Sequence, residues 1–170
     1  MNGTTGFWAE SKDLLALLVS LAALAISTYL SYRNIQTTKK IAEDAAAHNR
    51  TLARNASYQR MHELLVDPKA AAGRRALFLA ARDKRYPAVG DPGWDEINYS
   101  LALYDTLGGY VNRDQVDEYV VLDAWHHPLT SIAEPVRDFM AHRRVQGVNQ
   151  PWSHLLDLLK KAEKYSCTCP

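Results

Sequence analysis

The sequence predicts an all-α protein: an N-terminal transmembrane helix continues into a stalk helix, and a small cytoplasmic helical bundle of about five helices follows. Helix-forming residues dominate the chain, and the alternation of β-branched and aromatic residues that marks a strand never persists. No glycine or proline occurs between Gly6 and Pro68, so one helix can run through this interval unbroken.

The transmembrane helix is predicted for residues 14–32. These 19 consecutive residues carry no charge, and as an α-helix they span about 28 Å, which matches the hydrocarbon core of a bilayer. The hydroxyls of Ser20, Ser27 and Thr28 can bond to carbonyls of their own helix, so they are compatible with lipid. The membrane anchor is expected to include Leu14, Leu18, Leu21, Leu24, Tyr29 and Tyr32.

The charges around this segment predict its orientation. Arg33, Lys39 and Lys40 follow it, and the positive-inside rule places such residues in the cytoplasm. We therefore expect a single-pass protein of the bacterial inner (plasma) membrane. Residues 1–13 would form a short extracytoplasmic N-terminus, and the C-terminal domain would lie in the cytoplasm.

A cleaved secretory signal is the alternative. A cleaved signal begins with a positively charged region, whereas Glu10, Lys12 and Asp13 give this flank a net charge of −1, and the apolar segment is longer than a typical signal core. The Ala-Leu-Ala stretch at residues 23–25 nevertheless resembles a cleavage site. Cleavage there would release an exported soluble domain that begins near Ile26.

Residues 33–57 are predicted to form the stalk helix. Its apolar residues fall within about 60° of one another at ~100° per residue, and they form a stripe for self-association: Ile41, Ala45, Leu52 and Ala56. The alternatives are a lone polar helix and a helix folded back on the bundle, because the stripe is half alanine and lacks sustained heptads.

The net charge of +1 hides an asymmetry along the chain. Residues 33–90 contain 12 Lys/Arg and 5 Asp/Glu, a net of +7, whereas residues 91–170 contain 7 and 12, a net of −5. A basic region next to an apolar segment suits an anionic membrane surface. Nucleic acid is not expected as a partner, because the positive residues are not interleaved with stacking aromatics.

Residues 58–165 are predicted to form the bundle domain, followed by a tail at residues 166–170. Asp67 is expected to cap the helix that Pro68 begins. Further boundaries follow from turn residues: a helix from Trp94, one from Asp114 to Pro128, one through Pro135 to Gly147, and one from Pro151.

One stripe of the helix at Trp94 predicts how it packs. Its residues follow a 3-4-3-4-3 spacing that places them on one buried face: Trp94, Ile97, Leu101, Tyr104, Gly108 and Val111. Gly108 lets another helix approach closely, or it ends the helix together with Gly109.

Charged residues on predicted core faces indicate an ion pair. Asp123 lies seven residues after Val116, and Arg143 continues the apolar line of its own helix. Since a buried charge must be paired, we expect Asp123 to pair with Arg143 or Arg144, with Asp105 as a second carboxylate. The pair is interpreted as structural.

No catalytic residue, metal site or cofactor is predicted. His126 and His127 are not spaced like known metal ligands, and adjacent residues on a helix point about 100° apart. Phosphate loops, dinucleotide fingerprints and nucleophile elbows are absent. The alternative is a small membrane-bound hydrolase or metal-dependent enzyme that uses a polar pocket of Asp123, His126, His127 and Arg143.

The two cysteines, Cys167 and Cys169, lie one residue apart in the predicted tail. Such a pair cannot staple a fold, and the ending CTCP does not match a prenylation box. A metal role would need ligands from elsewhere in the chain, so we expect a solvated tail.

Four stretches carry a resemblance to a known family: "INYSLALYDTLGGYV", "VDEYVVLDAWHHPL", "FMAHRR" and "QPWSHLLDLL". Over about residues 60–162 the chain resembles small bacterial, often actinobacterial, membrane-anchored helical proteins catalogued as a domain of unknown function of the 4760 type. The resemblance implies a membrane helix and a helical cytoplasmic body. It implies no activity, since that family has no assigned catalytic residues.

Together these features predict a membrane-tethered module that acts at the cytoplasmic face in interaction, regulation or scaffolding. Its partner is expected to be another protein or a second copy of the chain, and no small-molecule class is predicted.

Overall fold

The computed structural model describes residues 5–149 and 152–166. These residues form five α-helices and no strand: α1 (Thr5–Val66), α2 (Pro68–Asp83), α3 (Pro92–Asn112), α4 (Glu118–Val145) and α5 (Ser153–Lys164). The all-α prediction and the helix without a break before Pro68 are confirmed. The chain divides into two compact units, residues 1–50 and residues 51–170, and the division falls within α1.

The first unit consists of the N-terminal part of α1. This helix contains a stretch long and apolar enough to cross a membrane, and none of that stretch is buried by the protein. The hydroxyl of Ser20 donates to the carbonyl of Ala16 (2.9 Å) and that of Thr28 to the carbonyl of Leu24 (2.6 Å), as expected for polar residues in an apolar helix. All six predicted anchor residues are exposed: Leu14, Leu18, Leu21, Leu24, Tyr29 and Tyr32.

The second unit is a bundle formed by the end of α1 and by α2 to α5. Helix α3 packs against α2 and α5, and α4 packs against the same two helices. The six residues of the predicted stripe in α3 are all buried. All but Gly108 belong to one continuous hydrophobic core that includes Met61 and Leu65 of α1, Leu77 of α2, and apolar residues of α4 and α5.

Side-chain caps define the starts of α2 and α4. Oδ1 of Asp67 accepts a hydrogen bond from the backbone N–H of Lys69 (2.8 Å), which confirms the predicted cap of α2. The sequence predicts that α4 starts at Asp114, and this prediction is wrong. Asp114 has a φ of 58° and lies in the preceding turn, and Asp117 caps α4 through the N–H of Tyr119 (2.8 Å).

Pro128 does not end a helix, contrary to the prediction, since α4 continues through both Pro128 and Pro135. A proline inside a helix costs about 3 kcal/mol. The buried residues on either side supply more than that: Leu129, Ile132, Ala133, Val136 and Phe139. Tertiary packing therefore holds one long helix where local preference favours two.

Gly108 lies where α3 and α5 meet. A Cβ atom at this position would collide with the backbone carbonyl of His154 in α5. Gly108 therefore permits the predicted close approach of a neighbouring helix. The alternative, a helix end at Gly108 and Gly109, is wrong because α3 continues to Asn112.

Replacement of Gly108 by alanine is expected to destabilise the bundle by about 1–3 kcal/mol, because the carbonyl of His154 belongs to a helix backbone that cannot move aside. Gly93→Ala is the matched control in the same helix, since its added Cβ would meet nothing closer than 3.7 Å. Thermal unfolding of the full chain in detergent measures both. Equal melting temperatures for the two variants would contradict the close contact.

Candidate functional site

Arg143 lies inside the bundle, where its side chain is only 3 % exposed. Its Cζ atom lies 4.0 Å from the centroid of the Trp152 ring and 5.7 Å from that of Trp94. Phe139, one turn earlier in α4, contacts the same two indoles at centroid distances of 6.4 and 5.3 Å. The guanidinium therefore links α4 to α3 and to the residue that precedes α5.

The aromatic surroundings explain how a charge is accommodated at this depth. Burial lowers the pKa of the Arg143 guanidinium from its ordinary value, but arginine stays protonated at neutral pH. A planar guanidinium stacks on indole faces, and such a contact contributes about 2 kcal/mol when it is shielded from water. This arrangement offsets part of the cost of burial and stabilises the packing of three segments.

The predicted ion pair between Asp123 and Arg143 does not form. Asp123 is exposed, and no ion pair within the part of the chain that the structure describes involves it. The reason is the start of α4 at Glu118: Val116 lies before the helix and does not define its buried face. Arg144, the other proposed partner, is also exposed.

Asp105 has a different role from the predicted one. Its Oδ1 accepts a hydrogen bond from the backbone N–H of Leu155 (2.9 Å) in the first turn of α5. Trp152, the residue at the N-cap position of α5, supplies no side-chain cap. The Asp105 carboxylate thus accepts a hydrogen bond from a first-turn N–H group, which has no acceptor within α5. Its negative charge also interacts favourably with the positive end of the helix dipole.

His126 and His127 form the second polar cluster. Their ring centroids lie 3.8 Å apart, although adjacent residues on a helix ordinarily diverge. His126 is 5 % exposed, and within the described residues its Nδ1 atom has no hydrogen-bond partner. The two rings are thus close together despite the divergence expected for adjacent helix positions.

Tyr165, just after α5, covers this cluster. Its ring lies 5.2 Å from that of His126, and its hydroxyl donates to Oδ1 of Asp123 (3.3 Å). Burial raises the pKa of the Tyr165 phenol to about 12, with contributions from Tyr119 and Asp123, so the hydroxyl keeps its proton at neutral pH. Sequence reasoning missed Tyr165 because nothing local connects it to residues about 40 positions earlier.

The proposed four-residue polar pocket is not assembled. Asp123, His126 and His127 lie together on α4, but Arg143 follows 17 residues after His126, about 26 Å further along the helix. In the described part of the chain, no three His, Cys, Asp or Glu side chains converge as metal ligands. A catalytic pocket of these four residues is thus not supported.

An open cleft of about 300 Å³ lies beside α2 and the turn before α3. Leu79, Tyr86 and Ile97 contribute to its walls, with Asp83 and Asp91 at its polar side. Burial raises the pKa of the Tyr86 phenol to about 12, and the nearby carboxylate of Asp138 adds to the effect. The sequence identified this turn only as a linker.

The four residues of the predicted self-association stripe are all exposed: Ile41, Ala45, Leu52 and Ala56. Leu52 and Ala56 belong to the same unit as the bundle, and their exposure shows that these two residues do not pack on it. Two of them fall in each of the two units, so each pair presents apolar side chains to the surroundings.

Comparison with protein-family models, with curated proteins and with solved structures finds no match for this chain. A functional assignment consequently rests on the geometry and on the apolar segment.

Arg143→Ala is expected to destabilise the bundle by about 2–4 kcal/mol, because it empties a buried site and removes the contact that joins the two indoles. Arg144→Ala is the matched control, and it should stay within about 0.5 kcal/mol of the parent chain because the side chain is exposed. Thermal unfolding and tryptophan fluorescence of the full chain in detergent report the difference. A stable Arg143→Ala variant with unchanged fluorescence would show that the stacking has no structural role.

Proposed function

We propose that the chain is a single-pass protein of the bacterial inner membrane whose helical bundle acts at the cytoplasmic face as an interaction, regulatory or scaffolding module. The observation that carries this proposal is the exposure of residues 14–32: nine Leu, Ile and Val side chains of this segment have no cover from the protein. A helix that is apolar on all sides is stable when lipid surrounds it.

The flanking charge supports the proposed orientation. Arg33, Lys39 and Lys40 lie just after the apolar segment, and residues 33–90 carry a net of +7. Positive residues are retained on the cytoplasmic side, where anionic lipids also attract them. The N-terminus would then lie outside the cytoplasm.

The character of the bundle supports a binding rather than a catalytic role. Two of its polar side chains serve packing: the half-buried Asp105 caps α5, and the buried Arg143 stacks on the Trp152 indole. A membrane tether raises the local concentration of any partner that the bundle holds, and this effect needs no active site. Membership of the 4760-type family of unknown function is part of the same proposal, because it implies the same architecture.

The enzymatic alternative is weaker on geometric grounds. A hydrolase or metal-dependent enzyme would need Asp123, His126 and His127 to act with a nearby cation, and Arg143 lies too far along α4 to supply it. Sequencing of the mature N-terminus addresses the exported alternative: an intact start supports the anchor, and a start near Ile26 contradicts it.

The membrane assignment predicts the effect of charge in the apolar segment. Leu21→Arg/Leu24→Arg is expected to abolish retention in membranes, because each arginine costs about 2.5–3.5 kcal/mol at the centre of a transmembrane helix. Alkaline carbonate extraction of the expressed full chain measures retention. Val145→Arg is the control: this side chain is 85 % exposed in the second unit, and its replacement should leave the protein in the membrane pellet.

Retention of the double-arginine variant in the pellet would contradict a lipid-embedded segment. Release of both variants would instead indicate that the parent chain is not anchored by residues 14–32.

Self-association through the stalk predicts position-dependent crosslinking. In a background with both native cysteines replaced by serine, Ala45→Cys is expected to form disulfide-linked dimers in membranes, because it lies on the stripe with Ile41. Ala47→Cys lies about 200° from Ala45 around the helix and should crosslink much less. Equal crosslinking at the two positions would contradict a stalk seam, and the partner would then be sought on the bundle.

A further inference from the structure

Helix α2 presents a surface that is both cationic and apolar. Arg75, Phe78, Leu79 and Arg82 follow one another at helical spacing on its exposed side. Among the Phe and Trp side chains that the structure describes, only Phe78 is exposed (41 %), and Leu79 beside it is 43 % exposed. Arg85, just after the helix, extends this surface. These five residues form what we call the cationic face.

The cationic face borders the open cleft beside α2. Leu79 and Arg85 both line this cleft of about 300 Å³. The two carboxylates at its polar side already have partners: Asp83 pairs with Arg82 (2.7 Å), and Oδ2 of Asp91 accepts a hydrogen bond from the backbone of the turn (2.8 Å). The cleft therefore has an apolar wall and a positively charged rim.

The positive charge around the cleft is not compensated locally. Residues 68–91 contain six Lys/Arg and two Asp/Glu, a net of +4. Within the part of the chain that the structure describes, no ion pair involves Arg75 or Arg85. A bulky apolar side chain with negative charge next to it would complement this face in both shape and charge.

The start of α4, in the same unit, presents the opposite combination. Tyr119 is 66 % exposed and Val120 is 41 % exposed, and the neighbouring Asp117 and Asp123 are exposed as well. Neither carboxylate belongs to an ion pair among the described residues. Tyr119 and Asp123 lie one turn apart on the same side of α4. These four residues form what we call the acidic face.

We propose that the bundle binds a second copy of this chain, with the cationic face of one copy on the acidic face of the next and with Tyr119 seated in the cleft beside Leu79. An aromatic side chain that fills a cleft is a common anchor of protein interfaces. Because the two faces consist of different residues, the contact is heterologous and can continue from copy to copy. The inference rests on the interaction role proposed above, but it requires neither the stalk seam nor the membrane orientation.

Chains with a single cysteine test this contact directly. In a background with both native cysteines replaced by serine, Leu79→Cys is expressed together with a differently tagged Val120→Cys chain. The cell fraction that contains the protein is then oxidised. We expect a mixed disulfide between the two tagged chains, because the contact places position 79 of one copy beside position 120 of another.

Val145→Cys, in place of Val120→Cys, is the matched control. Position 145 is 85 % exposed, so its thiol is more accessible than that at position 120, but it lies outside the acidic face. Its mixed disulfide with Leu79→Cys should be at least about fivefold weaker, since a disulfide needs close approach of the two backbones. The product that joins two copies of Leu79→Cys should be equally weak.

Charge reversal tests the complementarity of the two faces. Arg75→Glu/Arg85→Glu, added to the chain with the cysteine in α2, should lower the mixed disulfide at least about fivefold because like charges would then meet. Asp123→Lys, added to the chain with the cysteine in α4, should restore part of that loss. Arg60→Glu/Lys160→Glu is the control. It reverses two exposed charges on α1 and α5, which contribute to neither face, and should leave the product unchanged.

The proposal is wrong if the mixed disulfide is no stronger than its Val145→Cys control, if charge reversal has no effect, or if Asp123→Lys fails to restore the product. Absence of the mixed disulfide, with protection of Leu79→Cys from a water-soluble thiol reagent in anionic but not in neutral vesicles, would assign the cationic face to lipid instead. Dimers through Ala45→Cys and carbonate extraction report the stalk and the membrane anchor separately, so failure of this contact is distinguishable from failure of the proposed function.

Discussion

The main constraint on this protein is the apolar segment at residues 14–32, which the rest of its structure leaves uncovered. Its nine Leu, Ile and Val side chains are each worth about 1.5–3 kcal/mol on transfer out of water, roughly 15–25 kcal/mol in all. This exceeds the net stability of about 5–15 kcal/mol that is typical of a folded domain. Removal of these side chains from water would therefore outweigh any single contact in the bundle.

Contacts between helices accommodate polar and charged side chains within the bundle. Asp105 of α3 caps the start of α5, and Arg143 of α4 is held between Trp94 and Trp152. Both contacts act where α5 joins the core. In the same region, α3 approaches α5 closely at Gly108, which has no side chain. The position of α5 therefore depends on a helix cap, a cation–π contact and a close contact between two helix backbones.

The sequence was informative where one local signal decides the structure. The cap at Asp67, the stripe from Trp94 to Val111 and the unbroken helix before Pro68 all follow from residue type and spacing, and the structure confirms them. Pro128 was misinterpreted because its local cost is overridden by packing on both sides of α4. The sequence places Asp123 on the wrong face because the predicted start of α4 is three residues too early.

The site was less predictable than the fold, because it depends on contacts between distant parts of the chain. His126 and Tyr165 meet across 39 positions, and Arg143 reaches Trp94 across 49. No spacing rule connects such pairs. The adjacency of His126 and His127 even argued against joint action, whereas side-chain rotation brings their rings together.

The most direct measurement is a depth profile of α1 in lipid vesicles. A nitroxide label placed in turn at Leu18, Leu24 and Ile35 of the otherwise cysteine-free full chain reports collisions with oxygen, which concentrates in lipid, and with a water-soluble nickel chelate. The account predicts that oxygen dominates at Leu18 and Leu24, with the greater excess at Leu24 near the bilayer centre, and that the nickel chelate dominates at Ile35. Predominant nickel collisions at Leu18 and Leu24 would contradict it.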